Sequence, residues 1–190
     1  MARPNFIQLF KEEPIPILYE DRSILAIDKP AGWMLVPFSW QRTNRNLQAA
    51  IASSIGAGHF WARSRNIRFL KYIHRLDAET TGILLFAKSQ GALDSFGELF
   101  EARPSTGRQH QIRIHMAESG CPIVADELYG TQEDATMGLR AVGLSYNDPF
   151  SRRFVEIRAP VAEFLEYFGF APEVYQMKFQ SASHPASPRK

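Results

Sequence analysis

Apolar residues along this chain recur first at the two-residue period of strands and later at the spacing of helix faces. Ile15 to Glu20 and Ile24 to Asp28 are β-prone runs separated by Asp21-Arg22-Ser23, which predicts a hairpin. Lys29-Pro30-Ala31-Gly32 ends the second run, because Pro and Gly punctuate backbone structure. Leu47, Ala50, Ile51 and Ile55 fall at helical spacing, with Gly56 placed to cap that helix. The stretch from Ala57 to Lys71 loses this periodicity and reads as a basic loop. Ile83-Leu84-Leu85-Phe86-Ala87, bounded by Gly82, has the unbroken apolar character of a buried strand.

Helical spacing returns after that strand. Ser89 is positioned to N-cap a helix with Leu93, Phe96, Leu99 and Phe100 on one face. Thr106-Gly107-Arg108-Gln109 fits a capping box and predicts a further helix from Thr106, closed by Gly120 and Pro122. Ala141 to Tyr146 and Arg153 to Ala159 alternate as a second hairpin, and Val161 to Phe168 is a short amphipathic helix. Residues 181–190, rich in Ser and Pro, read as a flexible tail behind a single domain spanning 1–180. Strands and helices mixed in this way predict an α+β fold, a mixed or antiparallel central sheet with flanking helices.

The 190 residues suffice for one well-cored domain, and 45% hydrophobic content excludes a disordered chain. No apolar run reaches membrane-spanning length, and a single cysteine allows neither an internal disulfide nor a cysteine-based metal site. A cytoplasmic protein is the expectation. The net charge of +2 excludes little, but its distribution is uneven. Arg63, Arg65, Arg68, Lys71 and Arg75 lie between His59 and Leu76 without an acid, and Arg103, Arg108 and Arg113 lie between Ala102 and Ala117 in the same way. Such tracts suit a polyanion, since each cation that neutralises a phosphate releases counterions; solvated surface charge is the alternative. Phe60 and Trp61 within the first tract offer base stacking or core anchoring.

The candidate chemistry centres on His74-Arg75-Leu76-Asp77, a polar loop just ahead of the buried strand. A carboxylate there acts as nucleophile or general base only if ionised and aimed, which an adjacent arginine secures. Arg113 and Arg75 are the candidates, and a purely structural Arg–Asp pair is the competing use. His74, His110 and His115 do not make a metal site, because His110 and His115 are not four apart and no clustered carboxylate completes a set. No serine elbow or phosphate-cradling glycine loop is present.

Three ordered stretches resemble the motifs of the RluA-type RNA pseudouridine synthases. They are Leu18 to Gly32, His74 to Gly82, and Pro104 to Arg113 continued by Gly120 to Gly130. The resemblance implies that Asp77 is the catalytic aspartate, that Arg113 pairs with it, and that Arg75 helps displace the target uridine from its stack. His74, Thr80, Arg108, His110 and Gln111 complete the expected RNA-contacting set. It implies isomerisation of uridine in ribosomal or transfer RNA, a structured-RNA partner, and neither metal nor organic cofactor. In the family a strand bearing an active-site tyrosine precedes the Thr-Gly-Arg motif, whereas only Glu101-Ala102-Arg103 separate Phe100 from Pro104 here. Tyr72 and Tyr129 belong to other motifs and are no obvious substitutes. Such an internal deletion is expected to leave the Ile83–Ala87 strand as an exposed edge that a homodimer would cover. The alternative to an active synthase is a catalytically inactive RNA-binding relative. The N-terminal S4-type RNA-binding module that many members of that family carry is expected to be lacking, so grip on RNA is expected from the catalytic domain itself.

Overall fold

The computed structural model describes residues 3–9, 12–35, 45–101, 110–130 and 135–173. The predicted hairpin forms from β2 (Ile15–Glu20) and β3 (Ile24–Lys29), with β1 (Phe6–Ile7) on its outer side. Asp21 shapes the turn, its Oδ1 accepting the Ser23 and Ile24 amides at 2.7 and 2.8 Å. The apolar run forms β5 (Thr81–Ala87), antiparallel to β3 in the register Leu25 to Phe86 and Ile27 to Leu84.

Every residue of β5 is buried, which explains why its sequence does not alternate. Leu25, Ile27, Leu84 and Phe86 face one core, filled by Leu47 and Ile51 of α1 (Leu47–Gly56) and by Trp61 and Ala62 of α2 (Phe60–Arg63). Ile24, Ala26, Ile83, Leu85 and Ala87 face a second core with Ala92 and Phe96 of α3 (Gln90–Glu101). Tyr146 and Ile157 close that side, carried by the hairpin of β7 (Gly143–Asn147) and β8 (Phe154–Arg158). Ser89 caps α3 as expected, its Oγ accepting the Ala92 amide at 3.2 Å. The architecture is α+β, with a mixed sheet between helices.

Several expectations are corrected. β5 is not an edge: β4 (Lys71–Tyr72) pairs antiparallel with its far end, and β6 (Arg140–Ala141) runs parallel beside Thr81 and Gly82. These short strands take up the backbone groups that a lost neighbour would have left open, so the reason for a covering homodimer disappears. The stretch from Ala57 to Lys71 is not simply a loop, since it contains α2 and the start of β4. Trp61 is a core anchor, 1% exposed, with Nε1 donating to Ser54 Oγ at 2.8 Å. Arg65 is not a solvated charge; it donates to Glu20 at 2.7 Å and to the Pro4 carbonyl at 2.6 Å.

α4 (Gln111–Glu118) begins at Gln111 rather than at Thr106, and Thr106 to Gln109 lie outside the described residues. It ends as its sequence requires: Gly120 takes φ +74°, its amide bonds the Ala117 carbonyl, and the Cys121 amide bonds that of Met116. Among the described residues no strand lies between α3 and α4. The chain divides into two compact units, 1–159 and 160–190; the second contains α5 (Ala162–Tyr167), and the tail 181–190 lies outside the described residues.

Candidate active site

The loop before β5 is fixed from beneath. Lys29 is fully buried, and its Nζ donates to the carbonyls of Ala78 at 2.7 Å, Thr80 at 2.9 Å and Pro30 at 3.0 Å. The Gly32 amide reaches the Ala78 carbonyl at 3.0 Å, and the Thr80 amide turns back to that of Asp77 at 3.2 Å. Burial lowers the Lys29 pKa to about 8, against the pull of Glu79 and Asp77. The backbone after Asp77 is thus tied to the Lys-Pro-Ala-Gly segment. His74 anchors the other end, its Nε2 accepting the Leu85 amide at 3.2 Å, and burial holds its pKa below the usual histidine range.

The Asp77 side chain, 26% exposed, meets Arg113 from α4, whose Nη1 donates to Oδ2 at 3.0 Å. Arg113 is the buried residue of α4, while Ile112 and Met116 on the same helix are 62% and 40% exposed. The helix turns its charge inward because a second carboxylate waits there. Arg113 Nε and Nη2 bond Asp126 Oδ2 and Oδ1 at 2.7 and 2.6 Å, a bidentate pair. Asp126 Oδ1 also accepts the Leu128 and Tyr129 amides at 3.1 and 3.2 Å. Burial works against the Asp126 carboxylate, but Arg113 and these amides outweigh it and lower its pKa. Burial likewise opposes the Arg113 charge, and the two carboxylates overcome it and raise that pKa.

His110 and Tyr129 complete the cluster. His110 Nε2 lies 3.6 Å from Asp77 Oδ1, and its Nδ1 is 3.2 Å from the Tyr129 hydroxyl. The Tyr129 ring lies under Arg113, 5.4 Å from its guanidinium carbon. His110 and Ala125, which precedes Asp126, both hold left-handed backbone at φ +61° and +54°. Non-glycine residues in that region are sparse and gather at sites where geometry is imposed.

Of the residues singled out from sequence, Asp77, Arg113 and His110 come together. Arg75 is exposed on the same loop, Gln111 opens α4, Thr80 is buried, and Arg108 lies outside the described residues. Sequence reasoning gave no role to Lys29, Asp126 or Tyr129. Lys29 and Asp126 carry little local signal, each standing beside another charge, Asp28 or Glu127, at the end of an apolar run. Among the described residues no set of His, Cys, Asp and Glu side chains gathers as a metal site, and no helix is long and apolar enough to cross a membrane.

The sheet and its flanking helices have the fold of pseudouridylate synthase domains. Human RNA pseudouridylate synthase domain containing 1 superposes with a TM-score of 0.63 at 17% identity, over 90% of this chain and 96% of that one. Human RNA pseudouridylate synthase domain containing 4 gives 0.61 at 15% identity, over 80% and 90%. The profile of the family described as RNA pseudouridylate synthase matches residues 23–104. Ribosomal large subunit pseudouridine synthase C of Escherichia coli K12 is 25% identical across 79% of this chain and 67% of its own length. Synthase D of Yersinia pestis is 24% identical across 63% of this chain and 54% of its own. In fold, and over the segments these relatives match, the chain is similar to RNA pseudouridine synthases. The alignment with synthase C runs over 226 positions, more than the 190 residues present here, so that relative carries segments without a counterpart in this chain.

Proposed function

We propose that this protein is an RNA pseudouridine synthase acting on ribosomal RNA, with Asp77 as its catalytic carboxylate and Arg113 as the partner that aims it. The observation that carries this reading is the Asp77–Arg113 contact at 3.0 Å, in which the arginine is locked from behind by buried Asp126 while Asp77 stays open to solvent. An arginine shared in this way has no freedom to turn aside, so the free oxygen of Asp77 has a fixed direction. Asp77 attacks the target nucleoside as its glycosidic bond breaks, and the freed uracil turns and rejoins the ribose through C5. Exposed Arg75 takes the place of the uridine withdrawn from its stack. Gln111 at the start of α4, with Arg108, contacts the flanking RNA. His74 and Thr80, held by backbone bonds, serve the loop rather than the RNA surface. The names of the relatives favour ribosomal RNA; transfer RNA is the second substrate class.

Tritium release from C5-labelled uridine in bulk ribosomal and transfer RNA tests this reading, with Asp77→Ala as control. Release by the parent alone is expected, with RNA binding of the variant unchanged within a few-fold. Equal release by Asp77→Ala removes the assigned role. No release from a folded parent that still binds RNA replaces the synthase by an RNA-binding relative.

A further inference from the structure

The turns of the two hairpins meet at the end of the sheet away from Asp77. β3 starts at Ile24, beside Ala87 at the end of β5, and reaches Lys29 beside Gly82, next to the Asp77 loop. Five strand steps separate the two places, roughly 17 Å at about 3.3 Å per residue. Between the turns lies an open groove of about 530 Å³, lined by Tyr19, Arg22, Phe150, Arg153 and Phe154 among others. It continues past Arg22 into a second hollow of about 520 Å³ that Arg3 reaches.

We propose that this groove is a second RNA-binding site, which takes an unpaired segment of the RNA away from the target uridine. Charge is the first argument. The acids around the groove are engaged within the protein. Asp21 Oδ1 accepts the Ser23 and Ile24 amides, and its Oδ2 accepts the Tyr19 hydroxyl at 3.1 Å. Asp148 Oδ1 accepts the Phe150 and Ser151 amides. Glu20 pairs with Arg65 and Lys88 at 2.7 and 2.9 Å, and Glu156 pairs with Arg158. Among the described residues, the guanidinium groups of Arg3, Arg22 and Arg153 have neither a hydrogen bond nor an ion pair, and all three residues are exposed. What the groove leaves unpaired is therefore positive, which suits phosphates.

Aromatic rings are the second argument. Phe150 and Phe154 are 55% and 66% exposed. Phe150 rests against core Phe96, with ring centroids 6.1 Å apart, so its ring is mounted on the core while much of it stays open. Phe154 stands on β8 opposite Asn147. Every base has a π-face, so bases stack on such rings whatever their identity. A duplex hides those faces, so the bound segment is unpaired. A site for phosphate alone needs no rings, and an apolar docking surface does not set them among unpaired arginines. The distance from the Asp77 loop makes the groove separate from the cleft. It holds a part of a structured RNA other than the immediate neighbours of the target.

The inference rests on RNA being the partner, as proposed above, and the experiment separates the two. An oligoadenylate of about 12 nucleotides is the probe, because its bases are unpaired and it has no uridine to enter the Asp77 site. Its affinity is measured across a salt series for the parent, for Arg22→Gln combined with Arg153→Gln, for Phe154→Ala and for Phe154→Trp. The parent is expected to bind. The double arginine variant should bind about tenfold or more weakly, and the slope of log K against log salt should fall by about 1.4. Phe154→Ala should bind about tenfold more weakly with the slope unchanged, and Phe154→Trp, which keeps a stacking ring, should bind as the parent does. These side chains are exposed, so thermal melts should coincide, and either set of variants carries the test alone. No binding by the parent, or parent-like affinity in the arginine and alanine variants, overturns the groove as an RNA site. Equal binding of oligoglutamate by the parent overturns it in favour of an acidic peptide. Tritium release is read separately. Release by a parent that does not use the groove strikes only this inference, and groove-dependent binding without release strikes only the synthase reading.

Discussion

Arg113 and Asp126 are joined by two parallel hydrogen bonds, at 2.7 and 2.6 Å, in a pair where the arginine side chain is 8% exposed and the aspartate is sealed. This pair, rather than an apolar stripe, fixes α4 against the loop of residues 123–130. Removing one member of a buried pair leaves the other charge uncompensated, which costs about 3–5 kcal/mol. Asp126→Asn is therefore expected to lower the urea unfolding midpoint by a corresponding amount and to reduce turnover, since Arg113 is no longer held toward Asp77. Parent-like unfolding would show that α4 is held by other contacts.

Gly82 is required by a close approach. Its φ is +106°, and a Cβ there would lie 2.2 Å from the Ala141 carbonyl oxygen, inside the β5–β6 pairing. Gly82→Ala must part these strands and pull on the Arg140–Asp28 ion pair at 2.6 Å, which ties β6 to the neighbouring β3. A loss of about 3 kcal/mol or more in stability is expected from strain and clash together. A thermal melt superimposable on the parent's would show that β6 is free to shift.

Not every arginine of the first basic tract serves RNA. Arg65 has its side chain 4% exposed and is committed to Glu20 and Pro4, whereas Arg63 and Arg68 are exposed. Arg65→Gln is expected to lower stability by about 2 kcal/mol without changing the salt dependence of RNA binding. Arg63→Gln combined with Arg68→Gln should leave stability unaltered and flatten that dependence. An unchanged slope in the double variant would place this surface away from the RNA.

Lys29 gives the protein a pH dependence of definite sign. Its pKa of 10.5 in an unconstrained chain falls to about 8 through burial in the fold. Below that lower value both states hold the proton, and the cost of burying the ammonium is fully felt. Between about 8 and 10.5 the unfolded chain binds a proton that the folded chain has released, so stability rises with pH across this window. Unfolding free energies of the parent and Lys29→Met should therefore diverge in the parent's favour as pH increases there. A constant difference would mean that Lys29 keeps its proton within the fold.

The strands and helices of this protein are legible because their signals are local. The fully apolar Ile83 to Ala87 run announced a buried strand, Ser89 announced a cap, and Gly120 before Pro122 announced a helix end. Asp77 and Arg113 were legible as partners only through the motifs around them, being 36 residues apart. The basic tract misled for Arg65, since a charge looks the same in sequence whether solvated or paired. The predicted exposed edge failed because Lys71–Tyr72 and Arg140–Ala141 are too short to register as strands, yet each needs only a few ladder bonds to close the flank of β5.

The sequence by itself determined the longer strands and helices, the full burial of the Ile83 to Ala87 run, and which carboxylate stands on the loop before β5. Those outcomes follow from periodicity, capping and burial, which act between near neighbours. Tertiary structure alone decided that Asp126 would share its arginine with Asp77, that Lys29 would tie down three carbonyls, and that Tyr129 would meet His110. Each of these joins groups far apart in the chain, or on separate elements, through hydrogen bonds whose angles and distances exist only once the sheet has brought the elements together. A hydrogen bond needs its partners within a few tenths of an ångström, and hydrophobic patterning specifies position only to the nearest face.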